Sequence, residues 1–236
     1  MTRSQMRAAT LLGSVVLCAG FGDNAAAGAF QLREGSAAAQ GMSLAGRSNY
    51  TRDVSFVLGN PANLRGVEGL EVTGGIAGVL AVTEGRYDGA LIPGSGTDRK
   101  GEPGTLGFVP SFALGYRLND LFVLGLTVDS PFGLVTSYDD DWAGALDGID
   151  SELLTAAVTP MVSFQPVPQL AIAGGVTIQY SDAKLSNETF PGNVAEVTGD
   201  DIGFGFILGA AWDPFPGTSL GVRYRSRIDL QLEGDF

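Results

Sequence analysis

Histidine is absent from this 236-residue chain, and cysteine occurs once, at Cys18. The missing histidine removes both the commonest general base and the commonest metal ligand of proteins. A lipid hydrolase, which would need a serine nucleophile beside a histidine base, is therefore disfavoured. These absences predict a protein that is not an enzyme and that uses neither a metal nor another cofactor.

Charged residues are also scarce, at 17% of the chain, and acidic ones dominate, with a formal net charge of −12. Nucleic acid is not an expected partner, because phosphate binding needs clustered lysine and arginine. Disorder is disfavoured too, since a hydrophobic fraction of 44% leaves ample apolar surface to bury. Glycine, by contrast, is abundant: its 35 residues are about twice the usual share. Small and apolar residues therefore dominate the chain.

The first residues have the pattern of an export signal. Arg3 and Arg7 precede an apolar run over residues 8–21, and small residues then lead to Ala27. The run is shorter than the ~20 residues that a membrane-spanning helix needs. The pattern predicts a signal peptide over residues 1–27 that is cleaved after Ala27, with the lone cysteine inside it.

From residue 67 onward, about seven segments alternate between apolar residues on one face and small or polar residues on the other. The apolar faces carry no charge, and the opposite faces are rich in glycine, alanine, serine and threonine. The last segment alternates most clearly, with Leu220, Val222, Tyr224, Ile228 and Leu230 opposite Arg223, Arg225 and Arg227. This period of two predicts an all-β protein.

Two all-β architectures alternate in this way. A soluble β-sandwich turns its apolar faces inward, whereas a transmembrane barrel turns them outward to lipid. Faces of small residues would make a poor sandwich core but would leave room inside a barrel. The pattern therefore favours a transmembrane antiparallel β-barrel, and residues 67–236 are predicted to form its first part.

The connections between the segments also favour a barrel, because outer-membrane barrels have short periplasmic turns and long outer loops. Short and long connections alternate along this chain. The short ones lie at 119–120, 166–168 and 213–217, and the long ones at 84–105, 136–151 and 182–201. The aromatic residues Tyr116, Phe122, Phe164 and Trp212 lie beside the short ones, as a periplasmic aromatic girdle would.

Residues 28–66 lack the alternation. They are rich in glycine, alanine, serine and asparagine, yet they contain apolar residues such as Phe30, Leu44 and Phe56. A flexible leader is one interpretation, but disordered leaders usually lack apolar anchors. A compact plug, or hatch, inside the barrel accounts for both the small and the apolar residues.

Several motifs stand out along the chain: Ala-Phe-Gln-Leu at 29–32, the stretch 41–46 and Asn60-Pro61-Ala62 in the predicted hatch, then 112–119, 125–133 and 221–226 in the strands. Together they resemble the FadL-type family of outer-membrane transporters. That family transports long-chain fatty acids and aromatic hydrocarbons such as toluene, through a fourteen-stranded barrel with an N-terminal hatch. The resemblance covers nearly the whole mature chain and implies about half of such a barrel, as in a truncated product.

The resemblance implies passive transport of hydrophobic small molecules across the bacterial outer membrane, with membrane lipid around the barrel and hatch movement as the gate. It places Phe30 in or near an internal substrate site. It also places Asn60, Pro61 and Ala62 on the hatch, beside a kink in the third strand.

The kink itself would fall at Pro131, Phe132 and Gly133, and in the family it adjoins a lateral opening. Proline cannot donate to a strand ladder and glycine has no side chain to pack, so a kink or bulge there is physically reasonable. A strand that simply ends in a turn is the alternative.

Other interpretations of the residues stay open. A general porin or a structural barrel would also alternate, although a porin needs a wet, charged lumen and no hatch. Arg223, Arg225 and Arg227 would suit a carboxylate head group, but arginines that face aspartate and glutamate across a lumen are the default.

Overall fold

The computed structural model describes residues 31–82, 84–89, 96–102, 104–139, 141–190 and 192–234. The predicted signal peptide and Phe30 lie outside these ranges. Within them, no helix has both the length and the apolar character needed to cross a membrane. The helices α1 (Ala37–Gly41), η1 (Val54–Leu58) and η2 (Pro61–Gly66), of which the last two are 3₁₀ helices, precede the first strand.

Most of the described chain is antiparallel sheet. The strands are β1 (Leu70–Leu80), β2 (Gly85–Arg86), β3 (Lys100–Gly101), β4 (Leu106–Arg117), β5 (Phe122–Asp129), β6 (Gly133–Ser137), β7 (Asp150–Val167), β8 (Leu170–Phe190), β9 (Asn193–Phe215) and β10 (Thr218–Arg225). The main sheet has the order β1-β4-β5-β7-β8-β9-β10, with β6 also paired to β7, while β2 and β3 form a separate hairpin. This up-and-down order is that of a barrel wall, and the all-β prediction is confirmed.

The long strands present one face to the outside and the other to the interior, because successive side chains of a strand point in opposite directions. In β7, Val162 is 43% exposed whereas the next residue, Ser163, is fully buried. The exposed positions of β7 and β8 are mainly the apolar ones, and the buried positions are mainly small or polar. The sheet is thus apolar on its outer face, as the sequence predicts for a barrel.

The loops agree with the sequence in part. The short connections lie where they were expected, at 118–121, 168–169 and 216–217. The expected long loop over 182–201 is wrong, because β8 and β9 remain paired as far as Glu188 and Val194. The polar residues there are typical of a loop, but a backbone ladder does not require apolar side chains and continues into a long hairpin.

The prediction that Ile228 and Leu230 lie on the outer, apolar face of the last strand is also wrong. β10 ends at Arg225, and the following residue donates its backbone N–H to the carbonyl of Phe206. Ile228 and Leu230 then lie against the lumen-facing glycines Gly203 and Gly205 of β9 and line an interior cavity. The reason is that a shift of one residue in a strand moves every later side chain to the other face.

Residues 31–67, called the inner segment below, lie against the lumen face of the sheet. Each of the three helices has a capping side chain at its start, which accepts a hydrogen bond from a backbone N–H of the first turn. The capping residues are Ser36 for α1, Asp53 for η1 and Asn60 for η2. The helices are thus fixed locally before they pack on the wall.

The inner segment and the wall share an apolar core. The cluster consists of Val54, Val57, Leu64 and Val67 from the inner segment and Ala113, Val123 and Met161 from the strands. The wall approaches closely because its lumen positions are small: a Cβ on Gly125 would lie 2.7 Å from Leu64 Cδ1, which is too short for a real contact. Glycine at this position therefore lets the inner segment pack directly on β5.

Candidate functional site

The wall is interrupted between β5 and β6. Asp129 is the last residue of β5 to pair with β7, opposite Ala157, and Gly133 resumes the pairing opposite Leu154. From Asp129 to Gly133 the chain advances four residues, whereas the paired stretch of β7 advances only three. Ser130, Pro131 and Phe132 therefore include one residue more than the ladder accommodates. The chain continues along β7 after this bulge and does not turn away from the sheet.

On its other side the bulge leaves a stretch of the wall without ladder pairing between β4 and β6, called the opening below. The ladder between β4 and β5 ends where Ser111 pairs with Asp129, and β6 pairs only with β7 among the described strands. Pro110, the next residue of β4 toward the opening, has no N–H to donate. Thr105, just before β4, donates its hydroxyl to the carbonyl of Val135 across the gap at 2.8 Å.

The start of the inner segment covers this opening from inside. The backbone N–H of Leu32 donates to the carbonyl of Pro131 at 3.0 Å, and Gln31 pairs with Phe132 as an isolated antiparallel bridge. Thr155 Oγ1 accepts from the N–H of Phe132 at 2.9 Å and donates to its carbonyl at 2.6 Å. The irregular backbone of the bulge is thus satisfied partly by the chain that lies across it.

A cavity of about 670 Å³ lies behind the bulge. Its volume is within the usual range of small-molecule sites, roughly 300–1,000 Å³. Four of its twelve lining residues are apolar, and the other eight are polar or cationic. The apolar members are Phe132, Leu153, Ile228 and Leu230, and the others include Gln179, Ser181, Arg223 and Arg225.

Two arginines of β10 form the cationic side of the cavity. Arg225 Nη2 donates to Gln179 Oε1 at 3.0 Å, and its guanidinium carbon lies 5.6 Å from the centre of the Phe132 ring. Arg223 Nη1 donates to the carbonyls of Leu58 and Gly59 in the inner segment, at 3.1 and 3.2 Å. Arg225 is therefore held by the wall and the bulge, and Arg223 is held by the inner segment.

The electrostatic surroundings of the cavity are mainly positive. Asp129 interacts electrostatically with Arg225, Arg223 and Arg47. Burial, and to a smaller extent repulsion from Arg33, lowers the pKa of Arg47. Asp129 thus interacts with three guanidinium groups, and one of them, that of Arg47, also interacts with Glu34.

Asn60, Pro61 and Ala62 anchor the inner segment to the wall. The fully buried Asn60 donates through Nδ2 to the carbonyls of Ser48 and Ala210, at 2.7 and 3.2 Å, and its Oδ1 accepts from the N–H of Ala62 at 3.0 Å. Ala62 packs against three alanines of β8 and β9, Ala171, Ala173 and Ala211. These contacts lie with β8 and β9, whereas the sequence places the motif beside the kink.

The candidate residues therefore divide into two groups. Pro131 and Phe132 lie in the bulge at the cavity and Gly133 directly follows it. The Asn60 motif fixes the inner segment elsewhere, and Phe30 lies outside the described residues. Gln31 and Leu32 belong to the motif at 29–32, but the sequence does not place them at the opening. It also did not single out Gln179 or Asp129, whose signal is a polar side chain on a face of small residues.

A wall of antiparallel strands with an apolar outer face, an inner segment packed on the lumen side and an opening beside a cavity defines the class of outer-membrane β-barrel channels. The model of the family described as outer membrane protein transport protein (OMPP1/FadL/TodX) matches residues 18–236, and the chain belongs to this family.

The chain is similar to named members over part of their length. It is 28% identical to outer membrane protein P1 of Haemophilus influenzae, over 75% of this chain and 40% of that protein. It is 22% identical to the long-chain fatty acid transport protein of Escherichia coli, over 88% of this chain and 52% of that protein. The chain thus spans about half the length of the curated relatives that it matches.

Two solved structures share the fold. The Pseudomonas aeruginosa FadL homologue matches with a TM-score of 0.69 and 24% identity, over 84% of this chain and 53% of that one. The Ralstonia pickettii toluene transporter TbuX matches with a TM-score of 0.62 and 17% identity, over 79% of this chain and 56% of that one. The expected barrel architecture, present as about half of a barrel, is confirmed.

Proposed function

We propose that the chain belongs to a transporter that carries hydrophobic small molecules, long-chain fatty acids or aromatic hydrocarbons, across the bacterial outer membrane by passive diffusion. A cleaved signal peptide over residues 1–27 exports it, and outer-membrane lipid surrounds the apolar outer face. Two relatives, named for the transport of long-chain fatty acids and of toluene, support this range of substrates.

The observation that carries the proposal is the opening beside the bulge, with the cavity directly behind it. A substrate released from the cavity through this opening would enter the membrane without crossing the polar periplasmic end. The inner segment acts as the hatch, since Gln31 and Leu32 cover the opening and their removal from Pro131 and Phe132 would uncover it.

A general porin is the weaker alternative. It would need a wet lumen open from end to end, whereas the inner segment packs an apolar cluster onto the lumen face of β4, β5 and β7. Conductance in planar bilayers separates the two functions. A porin gives steady ionic current, and a hatch-gated transporter for hydrophobic molecules gives little.

The bulge is tested by Pro131→Ala. Alanine restores a backbone N–H and relaxes the backbone of the bulge, so the strand is expected to pair more regularly and the opening to narrow. Uptake of labelled oleate and of toluene by cells that carry the gene is expected to fall. Pro168→Ala, in the short turn after β7, is the matched control. Unchanged uptake in Pro131→Ala would remove the bulge from the mechanism.

A further inference from the structure

We propose that two outer loops clasp the outer end of the opening and thereby limit the width of the molecules that pass through it. The clasp consists of residues 96–102, which precede β4 apart from a few residues, and of residues 138–139 and 141–145, which follow β6. This size limit rests on the proposed transport function. Asp141 and Trp142 act on it as positioning residues, away from the cavity.

The opening has two sides of equal length. Ser111 pairs with Asp129 at its periplasmic end, and the hydroxyl of Thr105 donates to the carbonyl of Val135 at its outer end. Each side thus advances six residues, which is up to about 20 Å of strand. A continuous ladder holds the periplasmic end. A side-chain hydrogen bond holds the outer end, and one such bond adds little net stability.

Asp141 joins the two loops beyond that outer end. Its carbonyl accepts from the N–H of Asp98 at 2.7 Å, and the N–H of Ala143 donates to the carbonyl of Asp98 at 2.8 Å. Its carboxylate accepts from the N–H and the hydroxyl of Thr97, at 2.8 and 3.0 Å. These bonds connect the chain that enters β4 with the chain that leaves β6, so they tie the two sides of the opening together.

Trp142 gives the clasp an apolar core. It is only 8% exposed, although it lies in an outer loop. Its ring stacks on that of Tyr138 with the centroids 4.7 Å apart, and it meets the ring of Tyr87 edge-on at 6.1 Å. Gly101 leaves room for this stack, because a Cβ there would overlap the Tyr138 ring. Loops that only connect strands are usually mobile, whereas these two are packed on each other across the gap.

A slit that is held at both ends limits the width of what it passes. If the clasp is released, the ladder at Ser111 still holds the periplasmic end, and the two sides can spread from the outer end. The slit then becomes a wedge that admits broader molecules. Slim molecules do not need this extra width. The clasp therefore acts on the size of the substrate and not on its head group.

The test compares uptake of pyrene, a broad fused-ring hydrocarbon, with uptake of the slim probes toluene and oleate. Cells that lack the gene give the background. Thr97→Cys together with Asp141→Cys removes the carboxylate contacts, and both positions are exposed to reagents. The ratio of pyrene to slim-probe uptake is expected to rise several-fold. It should return to the wild-type value when a short bifunctional maleimide joins the two cysteines in the same cells.

The matched control is a cysteine pair at Thr189 and Asn193. These residues are also exposed and hydrogen-bonded to each other, but at the tip of the hairpin between β8 and β9. The uptake ratio of this pair should equal that of the wild type before and after the cross-link.

A distance measurement tests the clasp without transport. Nitroxide labels on cysteines at Thr105 and Val135 replace the hydrogen bond there, so the clasp alone holds the outer end. Trp142→Ala should broaden the distribution of distances between these labels. Labels at Leu124 and Val162, on the paired strands β5 and β7, should keep theirs in the same variant.

The outcomes separate the clasp from the transport function. An uptake ratio that the loosened clasp or its cross-link does not change overturns the size limit and leaves transport intact. Label distances that Trp142→Ala leaves unchanged, or broadens equally at both label pairs, do the same. Wild-type cells that take up neither toluene nor oleate above the background overturn the transport function together with the size limit.

Discussion

Asn60 hydrogen-bonds three backbone groups, and it is fully buried. In Asn60→Ala the carbonyls of Ser48 and Ala210 lose this donor, and the N–H of Ala62 loses this acceptor. Each buried polar group left unsatisfied costs about 1–3 kcal/mol. We therefore expect the inner segment to detach from the wall more readily. The measurement is amide hydrogen exchange over residues 31–67, which should become faster.

Asn193→Ala is the matched control for this change, because Asn193 is exposed at the tip of the hairpin between β8 and β9. Its exchange rates over the inner segment should equal those of the wild type. If Asn60→Ala exchanges no faster than this control, the motif does not anchor the segment. The inner segment would then lack the anchor to the wall that its proposed role as a hatch requires.

Single residues of the site were predictable from sequence to different degrees. Asn60 and Pro131 stand out through their motifs, and their neighbours in space do not. Arg225 and Gln179 each lie on the predicted lumen face, but alternation gives the face of a residue and not its height in the barrel. Alternation does not reveal the role of Gln31, because its bridge to Phe132 joins positions 101 residues apart in sequence and leaves no local pattern.

At the level of elements, the period of two predicted the strands well because burial on one face of a sheet selects residues directly. It failed where that selection is weak. The β9 side of the hairpin over 182–201 is mostly exposed on both faces near its tip, at residues 193–198, so its sequence has the composition of a loop. The change of face after Arg225 depends on a local break in the pairing with β9, which no periodicity reports.

The opening between β4 and β6 gives a prediction about elements. Cysteines at Thr105 and Val135, which are joined across the gap by a hydrogen bond, place reactive groups on both sides of it. A short bifunctional maleimide is expected to hold the two sides together and to lower oleate uptake. Uptake before and after the cross-link is measured in the same cells, so assembly of the protein does not affect the comparison.

The control for the cross-link is a cysteine pair at Leu124 and Val162. These residues are opposite each other on β5 and β7, and both are exposed on the outer face. A cross-link there bridges strands that are already paired and should leave uptake unchanged. Equal uptake in both cross-linked proteins would mean that substrate leaves by another route.

At the scale of the molecule, the path from β1 to β10 crosses seven strands of the described sheet, and every pairing is antiparallel. The two edge strands therefore run in the same direction. Unpaired edges are not tolerated in lipid, so each edge needs a neighbour that runs the opposite way. The strands that complete the wall must therefore begin and end with strands that run opposite to β1 and β10. The number of these completing strands must be odd. Two copies of this sheet related by rotation about the barrel axis would meet in parallel and would not satisfy this condition.

The orientation of the whole sheet in the membrane gives the last prediction. Val162 lies on the outer face of β7, five residues from the end of the strand at the short turn, which places it near the middle of a membrane-crossing stretch of ~9–11 residues. Val162→Arg should destabilise the protein in liposomes by about 2–4 kcal/mol, and Val194→Arg, at the tip of the long hairpin, by about 0–1 kcal/mol. Both valines are exposed, at 43% and 60%, so solvent accessibility alone predicts similar effects. Urea unfolding in liposomes distinguishes them, and equal losses of stability would place the apolar face against protein or water and not against lipid.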